Sequence, residues 1–281
     1  MTYSQIYKHG AEKLRQNNVE NFNFDNRIIF ENIFGLDRVQ LAIKGEQSAP
    51  KDEINNFLKC IDERINGKPL QYIIGVWEFM GLDFFVGDGV LIPREETEIL
   101  VKEVQKELQN SKSEKIIFDL CSGSGCIGIS IAKLCKNCKV YLIEKSPIAI
   151  KYLEKNIKQY GLQNVVAINS DITKGFEFFD LPNPDIIISN PPYIKSDEIK
   201  ELQKEVQKEP IMALDGGDDG LYFYKILAEK WAPYLCEKGM IAVEIGDEQE
   251  KDVCDIFSKV YSNIETKQDF NEINRVVIAR K

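Results

Sequence analysis

The stretch that most constrains this chain is residues 115–128, KIIFDLCSGSGCIG. Residues 115–120 alternate too little for a half-exposed strand and read as a buried one. They run straight into Gly123, Gly125 and Gly128, then into an apolar helix over 127–134. Glycines at such a junction let the backbone turn sharply and pass close to a ligand with no Cβ in the way. The same alternation continues downstream. Strands are expected at 140–144, 165–169, 185–189 and 240–245, with helices at 147–160, 221–235 and 248–257. Segments 264–269 and 275–279 read as two closing strands, a hairpin that sets one strand antiparallel to the rest. Alternating strands and helices imply an α/β, doubly wound, Rossmann-like sheet that binds ligands at the carboxyl ends of its strands.

The 281 residues leave room for a second, smaller body. Over 1–70, apolar residues such as Ile6, Leu14, Ile29, Phe30, Phe57 and Ile61 recur at helical spacing, and Asp25 is placed to cap a short helix ended by Gly35. This region is expected to be a helical domain for substrate recognition, with simple structural support an equal alternative. Within 71–92, two β-type runs (71–75 and 82–86) are punctuated by Gly75, Gly81, Gly87 and Gly89, the pattern of a hairpin linker. The catalytic domain is expected to occupy 93–281.

Charge narrows the partners. The formal net charge is −9. Residues 1–75 hold ten basic and ten acidic residues, so the excess belongs to the remainder. Proteins that grip phosphates present basic faces, so no direct nucleic-acid binding is expected. Seven cysteines, an odd number, do not suggest a disulfide framework. Cys135-Lys136-Asn137-Cys138 has no second CxxC, and the single histidine, His9, is remote in sequence. Surface thiols at a helix end are expected there, and no metal site. A polar start and the lack of a long apolar run predict no membrane association and a cytoplasmic location.

The glycine loop alone also fits the GxGxxG dinucleotide fingerprint. Asp119 argues for another ligand, because a carboxylate at the strand end repels a pyrophosphate and suits a ligand carrying an ammonium and a sulfonium. Glu144, at the end of the next strand, is placed to accept both ribose hydroxyl protons, as in NAD sites. The loop Asp119-Leu120-Cys121-Ser122-Gly123-Ser124-Gly125 resembles the D-x-G-x-G-x-G motif of class I methyltransferases, with Cys121 at the first glycine. The resulting expectation is S-adenosyl-L-methionine, held by Asp119, Cys121, Ser122, Gly123, Ser124, Gly125 and Glu144. Asp171 and Ile172, after the third strand, are placed near its adenine. Asp171 is equally suited to capping a turn.

Residues 185–193, DIIISNPPY, form a buried strand that enters a stiff turn. Two prolines fix two φ angles and remove two backbone donors, which leaves carbonyls free to accept. A planar NH2 is a weak nucleophile. Its N–H bonds need acceptors that aim the nitrogen at the methyl group and stabilise the positive charge building on it. The side-chain oxygen of Asn190 and the Pro191 carbonyl fit that task. Pro192 stiffens the turn, and Tyr193 offers an aromatic face to a flat group. Asn190 also borders the expected cofactor. These residues alone do not choose between a glutamine amide and an adenine amine.

With both motifs in place, the chain resembles the release factor glutamine methyltransferase family (the PrmC/HemK type) along nearly its whole length. Matching stretches include 69–75 (PLQYIIG), 79–82 (FMGL), 90–98 (VLIPREETE), Glu209-Pro210, 213–221 (ALDGGDDGL) and 244–249 (EIGDEQ). The ending 269–275 (DFNEINR) matches loosely. Three departures are Glu95 where the family usually has proline, and Cys121 and Glu272 where it usually has glycine. The resemblance implies a class I methyltransferase domain with a seven-stranded, mostly parallel sheet, preceded by a small helical domain. It implies a substrate as well: the side-chain amide nitrogen (N5) of the glutamine in the Gly-Gly-Gln motif of peptide chain release factors. It further places Pro93-Arg94 and Glu96-Thr97 beside the site, a stretch whose residues alone read first as a helix start, while 216–220 reads as a mobile loop near the site or as an acidic turn. Rival readings are an adenine-N6 nucleic-acid methyltransferase, a ribosomal-protein glutamine methyltransferase, and a catalytically silent binding module.

Overall fold

The computed structural model describes residues 1–109, 111 and 113–281. The chain divides into two compact units, one of residues 1–76 with 203–208, the other of 77–202 with 209–281.

The first unit is helical: α1 (Tyr3–Gln16), α2 (Phe22–Phe34), α3 (Arg38–Lys44), α4 (Lys51–Ile65) and α5 (Leu70–Ile74). Thr2 with Gln5, and Asp37 with Gln40, close capping boxes on α1 and α3. Such boxes satisfy amide donors that the first helical turn leaves free. Phe30 gathers Tyr3, Tyr7, Phe34 and Phe57 into an aromatic core. Gly10 lets the helices approach closely, since a Cβ there would meet Asn26 Oδ1 at 2.3 Å and the Phe57 ring at 2.6 Å.

Asp25 is not a cap, because α2 starts earlier, after Asn21. Asp25 is buried and accepts from Arg64 Nε at 2.6 Å. Arg64 also pairs with Glu205, which ties residues 203–208 to this unit. Gly35 does end α2, with φ +62°. Residues 71–74 are helical, not extended. Pro69 starts the turn and Gly75, at φ +79°, stops it. So short a run carries too little periodicity to tell the two apart.

The second unit opens on a hairpin, β1 (Val76–Phe79) and β2 (Leu82–Phe85). Met80 and Gly81 both have positive φ, +54° and +71°, as a tight I′ turn demands. Next come α6 (Glu98–Gln109), β3 (Lys115–Leu120), α7 (Cys126–Leu134), β4 (Cys138–Glu144), α8 (Ala149–Tyr160) and β5 (Val165–Asn169). Then follow β6 (Ile186–Ser189), α9 (Tyr222–Lys230), β7 (Met240–Glu244), α10 (Glu250–Ser258), β8 (Asn263–Gln268) and β9 (Asn274–Arg280). The expected 221–235 helix breaks after Lys230, and a 3-10 turn carrying Pro233 continues it. Cys138 is buried at the start of β4, so the CxxC is not a pair of surface thiols.

The seven strands run in the order β5-β4-β3-β6-β7-β9-β8, with β9 antiparallel to its neighbours. Alternate side chains feed two cores, so the strands are apolar on both faces. Ile186 and Ile188 pack on the α6, α7 and α8 side, whereas Ile187 packs with Tyr224, Trp231 and Phe257. Strand order reverses between β3 and β6, the place where such sheets open a crevice. Register aligns the strand ends: Leu120 stands opposite Ser189 and Ile143, Glu144 opposite Asn169, and Ser189 opposite Val243. The loops after 120, 144, 169, 189 and 244 therefore emerge side by side.

Candidate active site

The loops after 120, 144, 169 and 189 border a cavity of about 310 Å³. Its floor is the turn after β3, where Cys121, Gly123 and Gly125 all take positive φ, +63°, +56° and +81°. Left-handed backbone at three alternate positions reverses the chain within one turn of α7. At Gly123 nothing lies within 4 Å of where a Cβ would stand, so its backbone faces open space. Ser122 locks the turn by donating to the carbonyls of Asp119 and Ile143 at 2.9 and 3.0 Å.

Glu144 stands beside this turn. Its two carboxylate oxygens accept one backbone N–H each, from Gly123 at 2.8 Å and Ser146 at 2.7 Å. Each oxygen keeps a lone pair for a ligand hydroxyl. Burial raises the Glu144 carboxyl above its ordinary value, and the backbone donors oppose that rise. Asp171 accepts from the Thr173 N–H at 2.9 Å, so it caps a turn and lines the cavity as well. Burial alone would raise its carboxyl, yet Lys145 at 2.8 Å and the Thr173 amide hold it below the usual value.

Asp119 sits behind the floor. It is fully buried, and its Oδ2 accepts the Gly128 N–H at 2.9 Å. Its Oδ1 has no partner among the described residues. Burial, with Glu144 nearby, pushes this carboxyl up to about 8. A Cβ on Gly128 would meet Leu142 at 2.2 Å and Asp119 at 2.9 Å, which explains the third glycine.

Asn190 and Pro192 form one wall. Asn190 Nδ2 donates to Thr97 Oγ1 at 3.2 Å, and Thr97 Oγ1 donates to Glu244 Oε2 at 2.6 Å. Thr97 and Glu244 are both buried, and burial pushes the Glu244 carboxyl up to about 7. Tyr193 lies off the cavity wall, with its ring among the apolar residues of the α9 side. Its carbonyl accepts from Gln249 Nε2 at 3.0 Å. The 216–220 stretch is hydrogen-bonded onto this turn instead of hanging free. Gly216 N donates to Ile194 O at 2.8 Å. A Cβ at Gly216 would meet Tyr193 Cα at 2.7 Å, and one at Gly220 would meet the Tyr193 carbonyl at 2.5 Å.

Of the residues singled out in the sequence, Cys121, Ser122, Gly123, Ser124, Glu144, Asp171, Ile172, Asn190 and Pro192 line one cavity. Asp119, Gly125, Pro191 and Tyr193 adjoin residues that line it without lining it themselves. Pro93, Arg94 and Thr97 reach the wall, whereas Glu96 does not. Sequence reading matched Glu209-Pro210 to the family but passed over what Glu209 holds: its carboxylate accepts from the Ile92 N–H at 3.0 Å and pairs with Arg94. It also passed over the apolar Ile211, Met212 and Phe223 at the opening. A lone acidic residue before Pro210 carries no periodic signal that could have given its role.

The arrangement suits a flat, cationic, hydroxyl-bearing ligand. Two oriented carboxylate oxygens await a diol, unshielded backbone lies at Gly123, and acidic groups surround a mostly apolar cleft.

Comparison with known proteins bears directly on this geometry. Residues 5–75 match the PrmC N-terminal domain, and residues 95–216 match the methyltransferase small domain. The release factor glutamine methyltransferase of Clostridium acetobutylicum is 38% identical, covering 95% of this chain and 94% of that one. Its namesake from Thermodesulfovibrio yellowstonii is 37% identical, covering 94% and 95%. A solved methyltransferase from Pyrococcus furiosus superposes with a TM-score of 0.53 at 16% identity, covering 83% of this chain and 99% of that one. That last likeness concerns the fold alone. Two relatives alike over nearly their full length, with a cofactor turn and a wall of Asn190 and Pro192 on one cavity, carry the assignment: the chain belongs to the release factor glutamine methyltransferase family.

Proposed function

We propose that this chain moves the methyl group of S-adenosyl-L-methionine to N5, the side-chain amide nitrogen, of the glutamine in the Gly-Gly-Gln motif of peptide chain release factors. The observation that carries the reading is the Asn190 amide. Its nitrogen is turned to Thr97, to which it donates one N–H, and that leaves its oxygen on the other side of the amide, for the cavity that Asn190 lines. An acceptor there suits an incoming NH2.

S-adenosylmethionine supplies a methyl group on a sulfonium, an electrophile that needs no metal. Glu144 would accept from its ribose hydroxyls, and the backbone at 121–125 would hold its amino-acid end. Asp171 and Ile172, which line the same cavity, would border its adenine. Asn190 Oδ1 and the Pro191 carbonyl accept the two N–H bonds of the glutamine amide, which orients its nitrogen and offsets the positive charge formed as it attacks. Prolines at 191 and 192 cannot donate, so no N–H of the turn competes for those acceptors. Tyr193 backs the turn and Gln249 and Gly216 clamp it, a role that replaces stacking on the substrate.

An adenine amine would satisfy the same acceptors. The net charge of −9 disfavours a phosphate-bearing partner. Among the described residues no helix is long and apolar enough to cross a membrane, which accords with work in the cytoplasm alongside release factors. The decisive experiment incubates the protein with S-adenosylmethionine and purified release factor. One added methyl mass is expected on the peptide containing Gly-Gly-Gln. Methylation of an oligonucleotide, with that peptide unchanged, refutes the assignment.

A further inference from the structure

An amide side chain can face a cavity in two ways, and only one serves this chemistry. With Oδ1 inward, Asn190 accepts from a substrate NH2. Turned over, it presents its own N–H donors to another NH2, and the two repel. Size and shape do not separate the two orientations, so hydrogen bonding must.

Thr97 is the group that decides. A threonine hydroxyl has one proton to give and lone pairs that accept. An ionised carboxylate only accepts. At 2.6 Å, in the range of a hydroxyl bound to a charged oxygen, Thr97 gives its proton to Glu244. Its oxygen can then only accept, and the Asn190 group that can donate to it is Nδ2, at 3.2 Å. Direction is thus passed along the chain from Glu244 through Thr97 to Asn190. If Glu244 carries a proton, it donates to Thr97, and the Thr97 proton becomes available to Asn190 Oδ1. The amide is then free to turn over.

We propose that Thr97 and Glu244 are positioning residues for methyl transfer, and that the charged Glu244 carboxylate, acting through the Thr97 hydroxyl, holds the Asn190 amide with its oxygen toward the substrate nitrogen. The inference rests on the assignment of Asn190 as the acceptor for the glutamine amide. Strand register makes the arrangement possible, since Val243 stands opposite Ser189 and so brings Glu244 beside Asn190. Thr97 and Glu244 are 2% and 3% exposed, so bulk water does not compete for these bonds. Burial brings the Glu244 carboxyl to about 7, within reach of ordinary pH. The Thr97 hydrogen bond lowers it, Glu96 raises it, and Arg275 and Arg94 lower it. Tyr193, Tyr224 and Cys126 are also near it, and burial raises each of their own values, so all three stay neutral in this range.

Three variants test this: Thr97→Val, which keeps shape but removes the hydroxyl, Thr97→Ser, which restores it, and Glu244→Gln, which removes the charge. Methylation of release factor is followed across pH at saturating cofactor, with cofactor Kd measured by calorimetry. Wild-type kcat should rise with pH through an inflection near Glu244's value of about 7. Thr97→Val should lower kcat on the order of tenfold, the worth of one oriented hydrogen bond, with cofactor Kd unchanged. Thr97→Ser should recover the rate, and Glu244→Gln should flatten the profile. A Thr97→Val enzyme at wild-type rate overturns the proposal. So does a Glu244→Gln enzyme that keeps the wild-type inflection, which decides the matter even if Thr97→Val does not fold. A wild-type protein that leaves release factor unmethylated refutes the assigned function itself, and this inference with it.

Discussion

Two of the three departures from the family pattern, Cys121 and Glu272, replace glycine at backbone positions with φ of +63° and +62°. A side chain in that region brings Cβ against the following carbonyl, at a cost of about 1–2 kcal/mol. Glu272 isolates this term because it is exposed in the β8–β9 turn. The turn cannot relax around it. Glu272 N donates to the Asp269 carbonyl at 3.1 Å, and Asp269 N donates to the Ile273 carbonyl at 2.9 Å. Asp269 Oδ1 collects the amides of Asn271 and Ile273 at 2.8 and 3.1 Å. Glu272→Gly removes the steric cost but adds about 0.5–1 kcal/mol of chain entropy. The net gain is about 0.5–1 kcal/mol, or roughly 1–4 °C in the midpoint of a unit this size. Both tryptophans, Trp77 and Trp231, belong to the second unit, so their fluorescence reports its unfolding alone. Cys121→Gly relieves the same backbone but also gives up a side chain packed beside the α9 core. Burial of one such group is worth about 0.8 kcal/mol, so its midpoint should barely move. A Glu272→Gly midpoint equal to or below wild type, or Cys121→Gly stabilising more than Glu272→Gly, refutes the reasoning.

Asn190→Ala should lower kcat by ~10²-fold, the scale of a lost transition-state hydrogen bond, while calorimetry finds cofactor affinity intact; a full-rate variant sinks the proposed clamp. Stability of the ligand-free second unit should fall as pH rises. Asp119 and Glu244 have folded values of about 8 and about 7, above their unfolded values. The neutral forms are the ones the fold favours, so this stabilisation is complete below about pH 4 and drains away as pH climbs through the folded values. Urea midpoints read by tryptophan fluorescence should therefore decline toward pH 8, against the usual acid-side loss. Midpoints that rise steadily over that span contradict the raised folded values of these two groups.

What could be read from the chain without coordinates was whatever lies close along it. The strand, glycine turn and helix at 115–134 sit in one continuous stretch, and so does the proline-stiffened wall after β6. Their residue types state their own backbone needs: Gly123 and Gly125 do adopt positive φ. The misreadings are non-local. Asp25 looked like a cap because its partner, Arg64, is 39 residues away. Residues 71–74 looked extended because Pro69 and Gly75, which bound the short helix, act through dihedrals and not through hydrophobic pattern. Tyr193 looked like a stacking platform, and only packing could reveal that its ring turns into the α9 core.

The same contrast explains why Asn190 was legible and its orientation was not. An asparagine before two prolines announces an acceptor and a stiff turn. Which end of its amide faces the substrate depends on where the proton of Thr97 lies, and that depends on a carboxylate 147 residues from Thr97 in sequence. No local pattern encodes such a dependence. Parallel strand register supplies it, by setting the end of β7 beside the end of β6. Motif residues thus determine which chemistry is available, and the sheet determines whether their donors and acceptors point the right way. Glu244 belongs to the second group, and its charge, more than its shape, is what the site requires of it.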